Sequence, residues 1–266
     1  PWKCWCLTGR AIWWGVPMVN LKILILGGTS LAKKCVAEIQ SPDIDIVYSL
    51  AGRTTPRSLP DAEIRIGGFG GFKAMKEYLV AEKIAAVIDA THAFAEEITR
   101  NAQQACHDAH LPLLRLEEPA WQETEKDNWI HVGNIFAAKE AVIGVSGKVL
   151  VTTGRQAIEE YAQDERCHWL IRIVPTDDDL PVLKRGQYIH DHGPFNVSDE
   201  RKLIQDLGIE AIISKNAGSA ATYAKIEAAQ ALKIPVIMID RPAPSGIETV
   251  SRPVEVTTWL KAILDQ

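Results

Sequence analysis

The sequence lacks several features that mark common classes of protein. Its 266 residues carry 29 Lys and Arg against 34 Asp and Glu, a net charge of -5. This acidic balance gives no support for binding to nucleic acid or to an acidic membrane. Its longest apolar runs have only the length of a strand, which excludes a membrane-spanning helix. The five cysteines form no Cys-x-x-Cys pair, and their odd number argues against a disulfide framework and favours the reducing cytoplasm.

The first seventeen residues differ in composition from the rest of the chain. They hold four of the eight tryptophans, and no pattern in them predicts an element that would pack on a domain. A signal peptide is not indicated, because the apolar stretch after Arg10 is short and lacks a small-residue cleavage site. We therefore expect residues 1–17 to be a non-native or disordered extension, and the folded region to begin at Met18.

Strand and helix patterns alternate from Leu21 onwards, which predicts βαβ units and mostly parallel sheets. The pattern pauses near Gly144 and starts again at Lys148. We therefore predict two Rossmann-like α/β domains, residues 18–146 and 147–266. The cleft between them is the expected active site. The predicted strands lie at 22–26, 44–49, 63–66, 85–89, 112–115, 148–153, 168–174, 209–214 and 234–240. The predicted helices lie at 30–40, 72–82, 95–109, 155–163, 198–207, 219–232 and 255–265.

A glycine turn joins the first strand to the first helix. In Gly27-Gly28-Thr29-Ser30, the glycines allow the backbone to approach a phosphate, whose charge the helix N-terminus stabilises. The third glycine of the usual Gly-x-Gly-x-x-Gly motif is absent. An ordinary tight turn with Thr29 or Ser30 as the N-cap therefore remains an alternative to a cofactor site.

Arg53 favours the cofactor interpretation. It follows Gly52 at the end of the second strand, where a Rossmann fold places the residue that binds the ribose. A guanidinium matches the 2′-phosphate of NADP, although a solvated loop arginine is the alternative. The glycine cluster 67–71, with Gly70 within it, would bring backbone close to the cofactor or act as a flexible hinge. The sequence thus predicts NADPH, with NADH as the second choice.

Polar residues follow the fourth strand, at the carboxyl edge of the sheet where ligands bind in such folds. We predict Asp89, Thr91 and His92 as the catalytic residues. The histidine is suited to binding a carboxylate or donating a proton near neutral pH. The alternative makes Thr91 the cap of the next helix, with Asp89 supporting it.

The second half repeats this arrangement. Arg155 follows one strand, and Lys215, Asn216 and Gly218 follow another. We predict that these four bind an anionic substrate in the cleft, although helix-start residues that face solvent are the alternative. The segment His190-Asp191-His192 could ligate zinc, but no further ligand lies at a matching spacing, so no metal site is predicted.

The order and spacing of these motifs resemble the precorrin-6A and cobalt-precorrin-6A reductase family of cobalamin biosynthesis. The resemblance runs from about Lys22 to the C-terminus. Ala93, Ala217 and Glu118 depart from the family, which usually has proline, serine and arginine there. The matching segments are Gly27-Gly28-Thr29, Ser49-Leu50-Ala51-Gly52-Arg53, Gly67-Gly68-Phe69-Gly70-Gly71, Asp89-Ala90-Thr91-His92-Ala93-Phe94-Ala95, Thr153-Gly154-Arg155, Gly193-Pro194-Phe195, Lys215-Asn216-Ala217-Gly218 and Pro235-Val236-Ile237-Met238.

The resemblance implies an NAD(P)H-dependent oxidoreductase that acts on a CH-CH group. A hydride would pass from the nicotinamide to a ring double bond of the macrocycle, giving (cobalt-)precorrin-6B. His92, Asp89 or water would supply the proton. The implied partners are the tetrapyrrole substrate and, transiently, neighbouring enzymes of the pathway, with no nucleic acid or membrane. The implied location is the cytoplasm.

Two other functions compete with this one. A two-domain enzyme of the uroporphyrinogen-III synthase type would use no nicotinamide, and the Gly27-Gly28 turn with Arg53 argues against it. A non-catalytic dinucleotide sensor would need no cationic second domain, and Arg155 with Lys215 argues against that function.

Replacing Arg53 by alanine tests the cofactor assignment. The loss of a charge-assisted contact with the 2′-phosphate should weaken NADPH binding by about 1.5–3 kcal/mol and leave NADH binding nearly unchanged. Calorimetric titration of both variants with both cofactors measures this difference. Equal losses for NADPH and NADH would contradict the assignment.

Overall fold

A computed structural model describes residues 20–52, 59–142, 147–175 and 179–264. Within these ranges, no helix is long and apolar enough to cross a membrane. The strands are β1 (Leu21–Leu26), β2 (Ile44–Leu50), β3 (Glu63–Ile66), β4 (Ala86–Asp89), β5 (Leu113–Leu116), β6 (Trp129–Val132), β7 (Lys148–Val151), β8 (His168–Ile173), β9 (Gly186–His190), β10 (Ile209–Lys215), β11 (Val236–Ile239) and β12 (Thr249–Val250).

The helices lie between strands as crossover connections, except for the last one, which follows the final strand of the described residues. Short 3-10 helices at Arg155–Ala157 and Ala220–Thr222 precede two of them. The α-helices are α1 (Ser30–Glu38), α2 (Phe72–Ala81), α3 (Glu96–Ala109), α4 (Ile135–Ala141), α5 (Ile158–Ala162), α6 (Val197–Leu207), α7 (Ala224–Leu232) and α8 (Pro253–Leu264).

The strands form two six-stranded parallel sheets. The first has the order β3-β2-β1-β4-β5-β12, and the second has the order β9-β8-β7-β10-β11-β6. Both orders follow the doubly wound pattern, with the first strand of each series near the centre. The prediction of two Rossmann-like α/β domains is therefore confirmed.

Each sheet has an edge strand that lies outside the residues predicted for its domain. Strand β12, near the end of the chain, pairs with β5 of the first sheet, and β6 pairs with β11 of the second. The chain passes between the sheets twice. It does so through a first connecting segment, residues 117–128, and a second connecting segment, residues 240–248.

The domain boundary predicted near residue 146 does not separate the two sheets. Elements β6 and α4 lie before it but belong with the second sheet, whereas β12 and α8 lie after it but belong with the first. Backbone hydrogen bonds join β6 and β12 to their sheets, and such bonds carry no side-chain signature. The sequence pattern shows an element without showing which sheet it joins.

Apolar side chains fill both faces of each sheet, as parallel sheets require. On β1, Ile23 and Ile25 face α1 and α8, whereas Leu24 and Leu26 face α2 and α3. In the second sheet, α4 and α5 cover one face and α6 and α7 the other. Successive strands thus present their carboxyl ends at one edge, framed by helices.

Replacing Leu260 by alanine tests the assignment of α8 to the first domain. Leu260 is 1% exposed and packs on the cluster around α1, so the change should lower the free energy of unfolding by about 2–5 kcal/mol. Hydrogen exchange should accelerate in β1 and α1 rather than in β7 and α5. Val254→Ala, at an exposed position of the same helix, is the matched control. Faster exchange confined to the second sheet would contradict the assignment.

Candidate active site

The candidate site lies where the central strands of both sheets end. In the first sheet, β1 and β4 are neighbours, but the helices that follow them lie on opposite faces. Strands β7 and β10 repeat this arrangement in the second sheet. Such a switch point opens a crevice between the loops at the carboxyl edge.

The turn after β1 depends on Tyr48. Its buried ring lies only 2.2 Å from the position that a Cβ would take on Gly27, so no larger residue fits there. The Tyr48 hydroxyl accepts a hydrogen bond from Gly28 N at 3.1 Å, and Gly28 has a φ of +108°. The space beside Tyr48 and the backbone conformation therefore account for glycine at both positions. Gly28 and Ser30 are exposed, beside the start of α1.

Thr29 is the N-cap of α1. Its Oγ1 accepts a hydrogen bond from Ala32 N at 3.0 Å and donates one to Ala90 O at 2.8 Å. The capping interpretation is therefore confirmed for this side chain, and the cofactor contact of Thr29 stays a prediction. The second bond ties the loop after β1 to the loop after β4, which holds the two sides of the crevice together.

The glycine loop after β3 is anchored by Arg65. Its guanidinium donates to Gly68 O at 3.1 Å and lies 3.7 Å from the centre of the Phe69 ring. Gly70 is exposed, with a φ of +83°, which favours glycine. This anchoring argues against the loose hinge. Gly52 ends the described segment after β2, and Arg53 lies outside the described residues.

Asp89 is fully buried, which contradicts its predicted role at the ligand. Its Oδ1 accepts from the backbone N and hydroxyl of Thr91, at 3.1 and 2.6 Å. Its Oδ2 accepts from Thr99 at 2.7 Å and from Arg115 at 2.6 Å. The carboxylate therefore shapes the loop, and the Thr91 hydroxyl is engaged in the same arrangement. The sequence does not distinguish a strand-end carboxylate that faces a ligand from one that faces a buried arginine.

His92 borders the crevice and is open to solvent on one side. Its Nδ1 accepts a hydrogen bond from Phe94 N at 3.2 Å, which leaves the ring proton on Nε2. Desolvation by the surrounding side chains, together with the positive charges of Lys215 and Arg241, lowers its pKa to about 4. At neutral pH the ring is therefore uncharged and acts as an Nε2–H donor.

Phe94 carries the loop of His92 onto the second domain. Its ring packs against the apolar cluster that covers β7 and β8. Lys215 Nζ, at the end of β10, lies 5.2 Å from the centre of this ring. Burial lowers the pKa of Lys215, and in the described part of the chain no carboxylate lies within 4 Å of its ammonium group. His92 and Lys215 thus approach the same Phe94 ring from opposite domains, at 5.7 Å between ring centres and 5.2 Å from Nζ to the ring centre.

Arg155 lies on the same edge of the second sheet, at the start of the 3-10 helix after β7. The loop that leads to it is fixed by Thr152, whose hydroxyl donates to Ile213 O of β10 at 3.0 Å. The loops after β7 and β10 are therefore joined, as are those after β1 and β4.

Asn216 and Gly218, which the sequence predicts to bind substrate, also hold the first connecting segment in place. The Asn216 amide accepts from Trp121 N at 2.7 Å and donates to Trp121 O at 3.0 Å. Gly218 has a φ of +79°, and a Cβ there would lie 2.2 Å from Pro119 O. Polar and small residues after a strand can equally receive a passing chain segment.

Sequence reasoning missed three residues that join the two halves of the site. Arg115 Nε donates to Glu117 Oε2 at 2.7 Å, and Arg241 donates to Glu117 Oε1 at 2.5 Å. Arg241 also donates to the carbonyls of Asn216 and Ala217, at 2.9 and 3.0 Å. These residues lie at or just after the ends of β5 and β11. The expectation that polar residues at the carboxyl ends of strands belong to the site would have identified them.

The histidine pair at 190–192 has no metal-binding arrangement. His192 Nδ1 lies 2.7 Å from Gly193 O. In the part of the chain that the structure describes, no three His, Cys, Asp or Glu residues are grouped so that they could hold a metal ion.

Comparison with known proteins shows the family and the fold of this chain. The model of the family "Precorrin-6x reductase CbiJ/CobK" matches residues 22–261. Precorrin-6A reductase from Rhodococcus erythropolis is 37% identical over 241 residues, which cover 90% of this chain and 97% of the relative. Cobalt-precorrin-6A reductase from Priestia megaterium is 26% identical over 231 residues, which cover 83% and 90%.

A solved structure shares the fold. The structure titled "CobK precorrin-6A reductase" superposes with a TM-score of 0.84 at 33% sequence identity. The match covers 91% of this chain and 96% of that chain. Because the family model spans nearly the whole folded region, the chain belongs to the precorrin-6x reductase family.

Proposed function

We propose that this chain is a precorrin-6A reductase of cobalamin biosynthesis, which reduces the macrocycle with a hydride from NADPH. The observation that carries the proposal is that His92 of one domain and Lys215 of the other both lie beside the Phe94 ring, between two switch points. Such a crevice can bring a dinucleotide and a second large anion into contact. Family membership supplies the reaction class.

The metal-free macrocycle is the substrate we propose. Relatives named precorrin-6A reductase are 34–37% identical to this chain, whereas those named cobalt-precorrin-6A reductase are 26–27% identical. The closer group covers about 90% of the chain in each case. This difference favours precorrin-6A over its cobalt complex.

The first domain fits NADPH. No atom lies within 4 Å of the position that a Cβ would take on Gly28, so the turn presents bare backbone beside the N-terminus of α1. A phosphate suits such a position. Gly28, Ser30 and Gly70 would hold the dinucleotide, and Arg53 would bind its 2′-phosphate. When bound, the reduced nicotinamide supplies the hydride.

The second domain fits the carboxylates of the tetrapyrrole. Lys215 and Arg155 place two cations at the edge that faces the first domain. A half-buried ammonium without a carboxylate partner gains much from an incoming anion, because little water competes for it. These cations would orient the macrocycle with one face towards the nicotinamide.

His92 acts in this proposal as a neutral hydrogen-bond donor. An uncharged imidazole is a poor acid, and the buried Asp89 carboxylate is fully engaged with its neighbours. The proton that follows the hydride therefore comes from water, and His92 Nε2–H orients the reacting part of the macrocycle.

Anaerobic incubation with NADPH tests the function. Precorrin-6A should cause a loss of the nicotinamide absorbance band, and its cobalt complex should react more slowly. A uroporphyrinogen-III synthase type of enzyme would show no rise in melting temperature with NADPH, whereas any NADPH-binding protein must show one. A rise in melting temperature with no oxidation by either macrocycle would favour the dinucleotide sensor.

Replacing Lys215 by alanine tests the substrate assignment. The loss of one charge-assisted contact, worth roughly 1.5–3 kcal/mol, should raise KM for the tetrapyrrole about 10- to 100-fold. The Kd for NADPH should change less than about 2-fold. Steady-state kinetics and NADPH titration measure the two effects. Lys233→Ala, at an exposed lysine after α7, is the control. A larger effect on NADPH than on the tetrapyrrole would remove Lys215 from the substrate site.

Replacing His92 by glutamine or phenylalanine tests its role as a neutral donor. Glutamine keeps an N–H donor and should retain most of kcat, whereas phenylalanine should lower kcat about 10-fold or more. The pKa of about 4 places the ionisation of His92 below the working range. The wild-type rate should therefore show no ionisation of His92 near its usual value of about 6.5. A step there that disappears in His92→Gln would show that the ring works as an acid.

A further inference from the structure

A chain of alternating charges links the two halves of the site. It runs from Asp89 through Arg115 and Glu117 to Arg241. Each carboxylate lies between donors, and each guanidinium lies beside a carboxylate. Arg115 is buried, while Glu117 and Arg241 are shielded for most of their surface. Such pairs gain more from their geometry than exposed ion pairs do.

The two connecting segments contact each other within this series of charged residues. Glu117 is the first residue of the first connecting segment, and Arg241 lies near the start of the second. Their contact therefore joins the two places where the polypeptide leaves one sheet for the other.

Each end of this series of charged residues is hydrogen-bonded to one loop of the site. At one end, Asp89 binds the backbone N and the hydroxyl of Thr91, the residue before His92. At the other end, Arg241 donates to the carbonyls of Asn216 and Ala217, the residues after Lys215. A shift of Glu117 would consequently move both loops relative to each other.

We propose that Glu117, with Arg115 and Arg241, holds the loops of His92 and Lys215 at the separation that hydride transfer requires. These three are positioning residues, because none needs to touch substrate or cofactor. The inference rests on the proposed function, in which the first domain binds the hydride donor and the second domain binds the acceptor. A misplacement of reacting atoms by about 1 Å can cost about 100-fold in rate.

Glu117→Gln tests the inference, because it keeps the size of the side chain and removes the charge between two guanidiniums. The single-turnover rate of hydride transfer at saturating NADPH and precorrin-6A should fall about 10- to 100-fold. The Kd of each ligand should change less than about 3-fold. The isotope effect with deuterated NADPH should increase, because the chemical step then limits turnover.

Two further variants separate positioning from general stability. Arg241→Lys keeps the charge and should recover part of the rate that Arg241→Met loses. Arg166→Gln is the control, since Arg166 is bonded to Asp164 and Glu140 on the surface of the second domain. It should lower the melting temperature slightly and leave the hydride-transfer rate unchanged.

Hydrogen exchange gives a readout that does not depend on turnover. In Glu117→Gln, amides of residues 90–95 and of 216–219 should exchange faster together, whereas those of β8 and α5 should not. An unchanged rate of hydride transfer, or faster exchange throughout the protein, would overturn the inference. If Glu117→Gln does not fold, Arg241→Lys takes its place in the same measurements. If the wild-type protein oxidises no NADPH with either macrocycle, the proposed function is wrong, and the exchange of the two loops still decides whether they are coupled.

Discussion

The return of β12 to the first sheet, after the whole second sheet, is the constraint on which the site depends. Strand β12 is held to β5 by only a few backbone bonds, among them Arg115 N to Glu248 O at 2.8 Å and Glu117 N to Val250 O at 2.9 Å. The same bonds fix the position of Arg115 and Glu117. On the other side, β6 pairs with β11, and the second connecting segment begins at the end of β11. The domains are thus joined at the carboxyl edges where their ligand-facing loops lie, and their relative position follows from backbone pairing rather than from a linker.

Local packing accounts for several residues that a sequence motif assigns to ligand binding. Gly27 is required by the Tyr48 ring, Gly218 by the first connecting segment, and Thr29 by the cap of α1. None of these requirements excludes a ligand nearby, since the same bare or capped backbone lies at the crevice. Lys215 differs from them, because its ammonium group is half-buried beside Phe94 and has no carboxylate within 4 Å among the described residues. Among the residues singled out from sequence, it therefore gives the strongest indication of an anionic ligand.

The sequence predicts the central strands and the edge strand β3 well, and misses the other edge strands that the structure describes. Strand β1, expected at 22–26, occupies Leu21–Leu26, because a run buried on both faces must be apolar throughout. Strands β6, β9 and β12 were not predicted, since edge strands carry polar residues such as His131 and Gln187 on their solvated sides. The role of Asp89 was beyond sequence reasoning for a related reason. Its partner Arg115 lies 26 residues further on, and no feature of the nearby sequence indicates that the two residues pair.

The late position of β12 also sets an order of assembly during synthesis. The second sheet has all its strands between residues 129 and 239, so it can close while the last part of the chain is still being made. The first sheet begins to form earlier but keeps an unpaired edge at β5, and an uncovered face on α1, until β12 and α8 emerge. Domains usually complete in order from the N-terminus. Here the N-terminal domain is the last to be completed, and its open edge is exposed to unwanted strand pairing for that interval.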